Sequence, residues 1–218
     1  MNKIDSRSPA QGCVIWMHGL GADASDMEGV AVYPQLAALP LRHVFLDAPV
    51  RPVTLNGGMA MRAWYDILGL KLADREDHAG ITQSAAIIKK AIESQLADGF
   101  QSDQIFLAGF SQGGAMALYT ALTLDKPLAG VLALSAYLPL AGDCSPVQAK
   151  NTPFFSASGV YDPVVLPDWT KKSEQWLESH GYSNITTRQY PMEHNICINE
   201  MNDIAEWLKT KIRGVNAE

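Results

Sequence analysis

Ser111 lies in Gly109-Phe110-Ser111-Gln112-Gly113-Gly114, which fits the G-x-S-x-G pattern of a nucleophile elbow. An apolar run of strand type (104–108) precedes it, and an apolar run of good helix formers (115–122) follows. The pattern requires that context, because the serine must sit on a sharp strand-to-helix turn with its hydroxyl exposed. Glycines flank it so that no Cβ stands where strand and helix come close. The turn also places the Gln112 amide at a helix N-terminus, where developing negative charge is stabilised. This chemistry is nucleophilic attack by a serine hydroxyl, and it needs a base and an acid.

In this order of elements, acid and base follow the nucleophile. Two histidines lie downstream. His180 precedes Gly181 at the end of a helical stretch, where a histidine suits the dipole without any catalytic role. His194 lies in Tyr190-Pro191-Met192-Glu193-His194-Asn195, a loop between the last strand and the last helix, and is the expected general base. Among the acids, Asp125, Asp143, Asp168 and Asp203 read as helix-end, loop, capping and late-helix residues. Asp162, in Tyr161-Asp162-Pro163, comes just past a strand end and is the expected partner of His194. The glycines of His18-Gly19-Leu20-Gly21 leave the Leu20 amide free to face the site, so Leu20 and Gln112 are the expected oxyanion donors. His18 precedes the serine and reads as a turn-stabilising side chain. Cys197 stands near His194 but has no elbow around it.

The elements that must position these residues alternate along the chain. Residues 13–17, 43–46, 104–108, 130–134 and 153–158 read as apolar strands, and 185–190 as an alternating one. Residues 81–96, 169–179 (with Asp168 as its N-cap) and 202–212 read as helices. Continuous apolar strands alternating with helices imply an α/β fold, with a mainly parallel central sheet and helices on both faces. The connection from Val50 to about Gly80 shows no clear periodicity, and connections of that length usually carry function.

Size and composition agree with one domain spanning residues 1–218. The chain is 47% hydrophobic and carries a net charge of −6, without a basic run of the kind that binds nucleic acid. Its start has no apolar signal-peptide core, and no apolar segment is long enough for a membrane span, so a cytoplasmic protein without stable membrane insertion is expected. Three widely spaced cysteines fit reduced thiols. Neither CxxC nor HExxH occurs, so no metal and no cofactor is expected.

The elbow, His18-Gly19-Leu20-Gly21, Arg51-Pro52-Val53-Thr54-Leu55-Asn56, Trp64-Tyr65-Asp66-Ile67 and Tyr161-Asp162-Pro163-Val164-Val165 together resemble the phospholipase/carboxylesterase family, which includes acyl-protein thioesterases and small bacterial carboxylesterases. The resemblance runs from about Cys13 to Leu208. It implies an α/β-hydrolase fold, the triad Ser111, Asp162 and His194, and the oxyanion amides of Leu20 and Gln112. It also implies a groove lined by the 50–80 connection, with Trp64, Leu68 and Leu70 binding substrate beside Val164 and Val165 of the acid's turn. Substrates would be small-molecule or acyl-protein esters and thioesters of short-to-medium acyl chains, and the enzyme a monomer or weak homodimer. The chain departs from the family at Ser158, where histidine is usual, at Glu193 and Asn195 beside His194, and at Arg62, where proline is common. Two alternatives stay open: a lysophospholipase, and a catalytically silent ligand-binding module.

Overall fold

The computed structural model describes residues 2–69 and 75–212. The described strands are β1 (Asn2–Ile4), β2 (Gly12–Met17), β3 (Leu41–Leu46), β4 (Val50–Val53), β5 (Met59–Arg62), β6 (Ile105–Phe110), β7 (Gly130–Leu134), β8 (Phe154–Gly159) and β9 (Ile185–Tyr190). The helices are α1 (Ala24–Ala31), α2 (Pro34–Ala37), α3 (His78–Ala97), α4 (Gln112–Leu122), α5 (Pro167–Ser179) and α6 (Ile198–Lys211). Seven strands form one sheet in the order β1-β3-β2-β6-β7-β8-β9. Every pairing is parallel except β1 with β3.

Strand geometry explains why the central strands read as unbroken apolar runs. Successive side chains point to opposite faces, so Cys13, Ile15 and Met17 of β2 pack under α3 and α4, while Val14 and Trp16 pack under α1 and α6. Helices therefore cover both faces, as the alternation implied. No helix of the described residues is long and apolar enough to cross a membrane.

Local chemistry sets the element ends, and it accounts for three of the departures from expectation. Helix α5 is capped at Leu166, with Pro167 in its first turn. Asp168 therefore sits inside the first turn rather than at the cap, because proline's fixed φ starts the helix two residues earlier. The 50–80 connection is not irregular throughout: β4 and β5 pair as a hairpin across a turn at Gly57 and Gly58, both at positive φ. Helix α1 was not anticipated. The Asp23 carboxylate starts it by accepting from the Ser25 amide at 2.8 Å.

Two buried ionisable groups make stability depend on pH in opposite directions. His43 of β3 points into the α1/α6 side of the core. Its Nδ1 accepts the Trp16 indole N–H at 3.0 Å, so the ring is neutral and its proton sits on Nε2, which has no partner among the described residues. Burial lowers its pKa from 6.5 to about 4. Its contribution is present above pH 6.5 and lost as pH falls towards 4. Glu200, fully buried in the first turn of α6, is raised from 4.5 to about 8 by burial, while the Cys197 amide pulls the other way. Its contribution is present below pH 4.5 and lost as pH rises through 8. Urea midpoints measured from pH 4 to 9 should therefore fall at both ends. His43→Asn should flatten the acid limb and Glu200→Gln the alkaline limb. An unchanged slope in either variant would assign that limb to other groups.

Candidate active site

The elbow is built as strand, one strained residue, helix. Ser111 adopts φ 54° and ψ −122°, a conformation that costs about 1–3 kcal/mol for a non-glycine residue. The turn is pinned on both sides. The Ser111 amide donates to the Leu134 carbonyl at the end of β7 (2.8 Å), and its carbonyl accepts from Ala115 (3.0 Å) to open α4. A Cβ on Gly113 would collide with the Met17 and His18 carbonyls. Glycine there lets the start of α4 lie against the end of β2, bringing the elbow and the 18–21 turn together.

His194 and Asp162 reach Ser111 from two further strand ends. Beyond β8, the Asp162 side chain is fully buried, and its Oδ1 accepts the amides of Val164 (2.8 Å) and Val165 (2.9 Å). Its Oδ2 lies 2.7 Å from His194 Nδ1, and His194 Nε2 lies 2.8 Å from Ser111 Oγ. A carboxylate only accepts, so Nδ1 carries the proton and Nε2 is free to accept from the serine hydroxyl. The loop holding His194 crosses directly over Gly159, where a Cβ would strike the Met192 and Glu193 carbonyls. Phe110 supports the imidazole face at a centroid distance of 4.7 Å.

Ser111, His194, Gln112 and Leu20 border one cavity of about 470 Å³, together with Leu68, Val164 and Val165. Leu70 lies outside the described residues. Trp64 is a correction: it is fully buried in the core, with its indole N–H on the His18 carbonyl at 2.9 Å, and the adjacent Tyr65 borders the cavity instead. Met27, Tyr137 and Trp169 also border it and escaped the sequence reading. Tyr137 was open to inference, since it follows the C-terminal end of β7, where loops in such sheets bind ligands. Among the cations of the 50–80 connection, Arg51 pairs with Asp77 (3.7 Å) and Arg62 with Asp47 (3.5 Å), whereas Arg75 borders the cavity.

His18 takes the structural part expected of it. It is buried, and its Nε2 accepts the Ala48 amide at 3.0 Å, so its Nδ1–H donates to the Gly19 carbonyl at 2.7 Å. Burial first of all lowers its pKa and favours that neutral form. Cys13 and Cys144 are buried free thiols, pushed by burial up to about 12 and about 11, and so are poor nucleophiles.

With this geometry in place, comparison with known proteins is specific. A family model described as Phospholipase/Carboxylesterase matches residues 3–212. An acyl-protein thioesterase 1 from Mycosarcoma maydis is 37% identical over 91% of this chain and 90% of its own. One from Neurospora crassa is 36% identical over 91% and 86%. Among solved structures, Zea mays acyl-protein thioesterase 2 superposes with a TM-score of 0.85 at 25% identity, covering 97% of this chain and 98% of that one. Arabidopsis thaliana SOBER1 does so with 0.85 at 27%, covering 93% and 99%. The α/β-hydrolase fold of these neighbours is the fold described above.

The Gln112 side chain was not anticipated. Its Oε1 accepts the Trp64 amide (2.8 Å) and its Nε2 donates to the Tyr65 carbonyl (2.7 Å), both buried. Gln112→Ala should strand two buried backbone groups and cost about 2–4 kcal/mol in chemical denaturation. A loss under about 0.5 kcal/mol would mean that the 63–65 stretch is held by other contacts.

Proposed function

The chain belongs to the phospholipase/carboxylesterase family, as a serine hydrolase of carboxylic esters or thioesters, and we propose that it works through an acyl-enzyme on Ser111. The observation that carries this is the continuous relay from Ser111 Oγ through His194 to Asp162 at the wall of the cavity. In this reading His194 Nε2 takes the hydroxyl proton as Oγ attacks the acyl carbonyl, and Asp162 fixes the tautomer and stabilises the imidazolium. The amides of Leu20 and Gln112 receive the charge on the carbonyl oxygen. The imidazolium then protonates the leaving alcohol or thiol. A water activated by the same nitrogen hydrolyses the acyl-enzyme and regenerates the serine.

The acyl group would lie in the cavity against Leu68, Val164 and Val165. Small esters and acylated proteins are the proposed substrates, the latter by analogy with the relatives named thioesterases. The same proposal has one domain acting in the cytoplasm, as a monomer or weak homodimer. Nothing observed favours a lysophospholipase or a silent binding module.

Two outcomes test the reading. Ser111→Ala should abolish turnover and fluorophosphonate labelling, and Asp162→Asn should lower kcat by about ten-thousandfold with the fold intact. Near-normal activity for Asp162→Asn with loss in Asp168→Asn would show another acid at work. Each buried methylene is worth about 0.8 kcal/mol, so kcat/KM should rise by about tenfold for two added methylenes, from acetyl towards medium-length esters. A strict acetyl preference, or activity only on lysophospholipids, would contradict the proposed use of the cavity.

A further inference from the structure

The turn that carries the Leu20 amide is fastened at its start, middle and end to two short stretches of chain. At the start, His18 Nε2 accepts the Ala48 amide at 3.0 Å. In the middle, the Gly21 amide donates to the Arg62 carbonyl at 2.8 Å. At the end, the Ala24 amide donates to Asp47 Oδ1 at 3.1 Å. The Arg62 side chain holds the other two anchors. Its Nη1 donates to the Ala48 carbonyl at 3.1 Å, and its Nε lies 3.5 Å from Asp47 Oδ1. All three attachments therefore converge on Arg62, one by its backbone and two by its guanidinium.

We propose that Arg62 is a positioning residue for the oxyanion-stabilising turn, acting through Asp47 and Ala48 on the Leu20 amide without touching substrate. The inference rests on the function proposed above. The Asp47 and Arg62 side chains are 34% and 39% exposed, so their ion pair adds little to stability. Its effect lies in placement. A donor must sit at about 2.7–3.1 Å from the oxygen that becomes negative, and a small displacement of the turn weakens a bond used fully only in the transition state. A proline in place of Arg62 would keep the carbonyl for Gly21 and lose both guanidinium contacts.

The test compares Arg62→Met and Arg62→Lys on a medium-chain ester. It also measures inhibition by an alkyl trifluoromethyl ketone, which forms a tetrahedral oxyanion on the serine. Arg62→Met should lower kcat by about tenfold, leave KM within about twofold, and raise the ketone inhibition constant in parallel with the loss of kcat, with an unchanged melting temperature. Arg62→Lys should recover part of both losses. Asp47→Asn should show the same split, and combining it with Arg62→Met should add less than the two single losses together. If Arg62→Met does not fold, Asp47→Asn carries the comparison. Unchanged kcat and ketone inhibition, or losses confined to KM or melting temperature, would overturn the assignment of Arg62 while leaving the proposed function intact. A wild-type protein without turnover or fluorophosphonate labelling would overturn that function, and this inference with it.

Discussion

The site depends on a close approach of two backbones, the start of α4 at Gly113 and the chain at the end of β2, at Met17 and the following His18. It joins the nucleophile's turn to the turn that carries the second amide donor. A side chain at Gly113 would force these apart, and with them Ser111 and Leu20. The strained conformation of Ser111 persists because both neighbours hold it: the end of β7 grips its amide, and the first turn of α4 takes its carbonyl.

Around that contact, loops from separate strand ends are tied together by a few neutral or fully paired polar groups. His18 joins the first turn to Ala48, Gln112 joins the elbow to Trp64 and Tyr65, and Asp162 closes its own turn before meeting His194. Low local dielectric strengthens such bonds and makes an unpaired member costly. The site is therefore rigid where backbone amides must be placed. Its wall is built from Leu68, Val164 and other apolar side chains.

The chemistry and the stability of the protein draw on different parts of this arrangement. His43 and Glu200 lie in the core and make the folded state sensitive to pH without bordering the cavity. Arg62 lies at a partly exposed position, where its ion pair contributes little to folding but bears on the geometry of the first turn.

What the sequence determined by itself was whatever depends on neighbours along the chain. Unbroken apolar runs marked the central strands, and a period of three to four residues marked the helices. The elbow's glycines marked a turn no other residue tolerates, and the loop positions of His194 and Asp162 followed from the strand ends before them. The Gly57-Gly58 turn was equally local, and the hairpin it makes could have been read from it; so could Pro167 as the start of α5. Tertiary structure alone decided the rest, because a side chain's direction is chosen by packing partners distant in sequence. Trp64 and Tyr65 are adjacent in an aperiodic stretch and both are buried in the core, yet only Tyr65 borders the cavity. Arg62 meets Gly21 and Asp47 only because the hairpin folds back over the ends of β2 and β3. No local pattern encodes that meeting, since its cause is the closure of chain segments around a shared core.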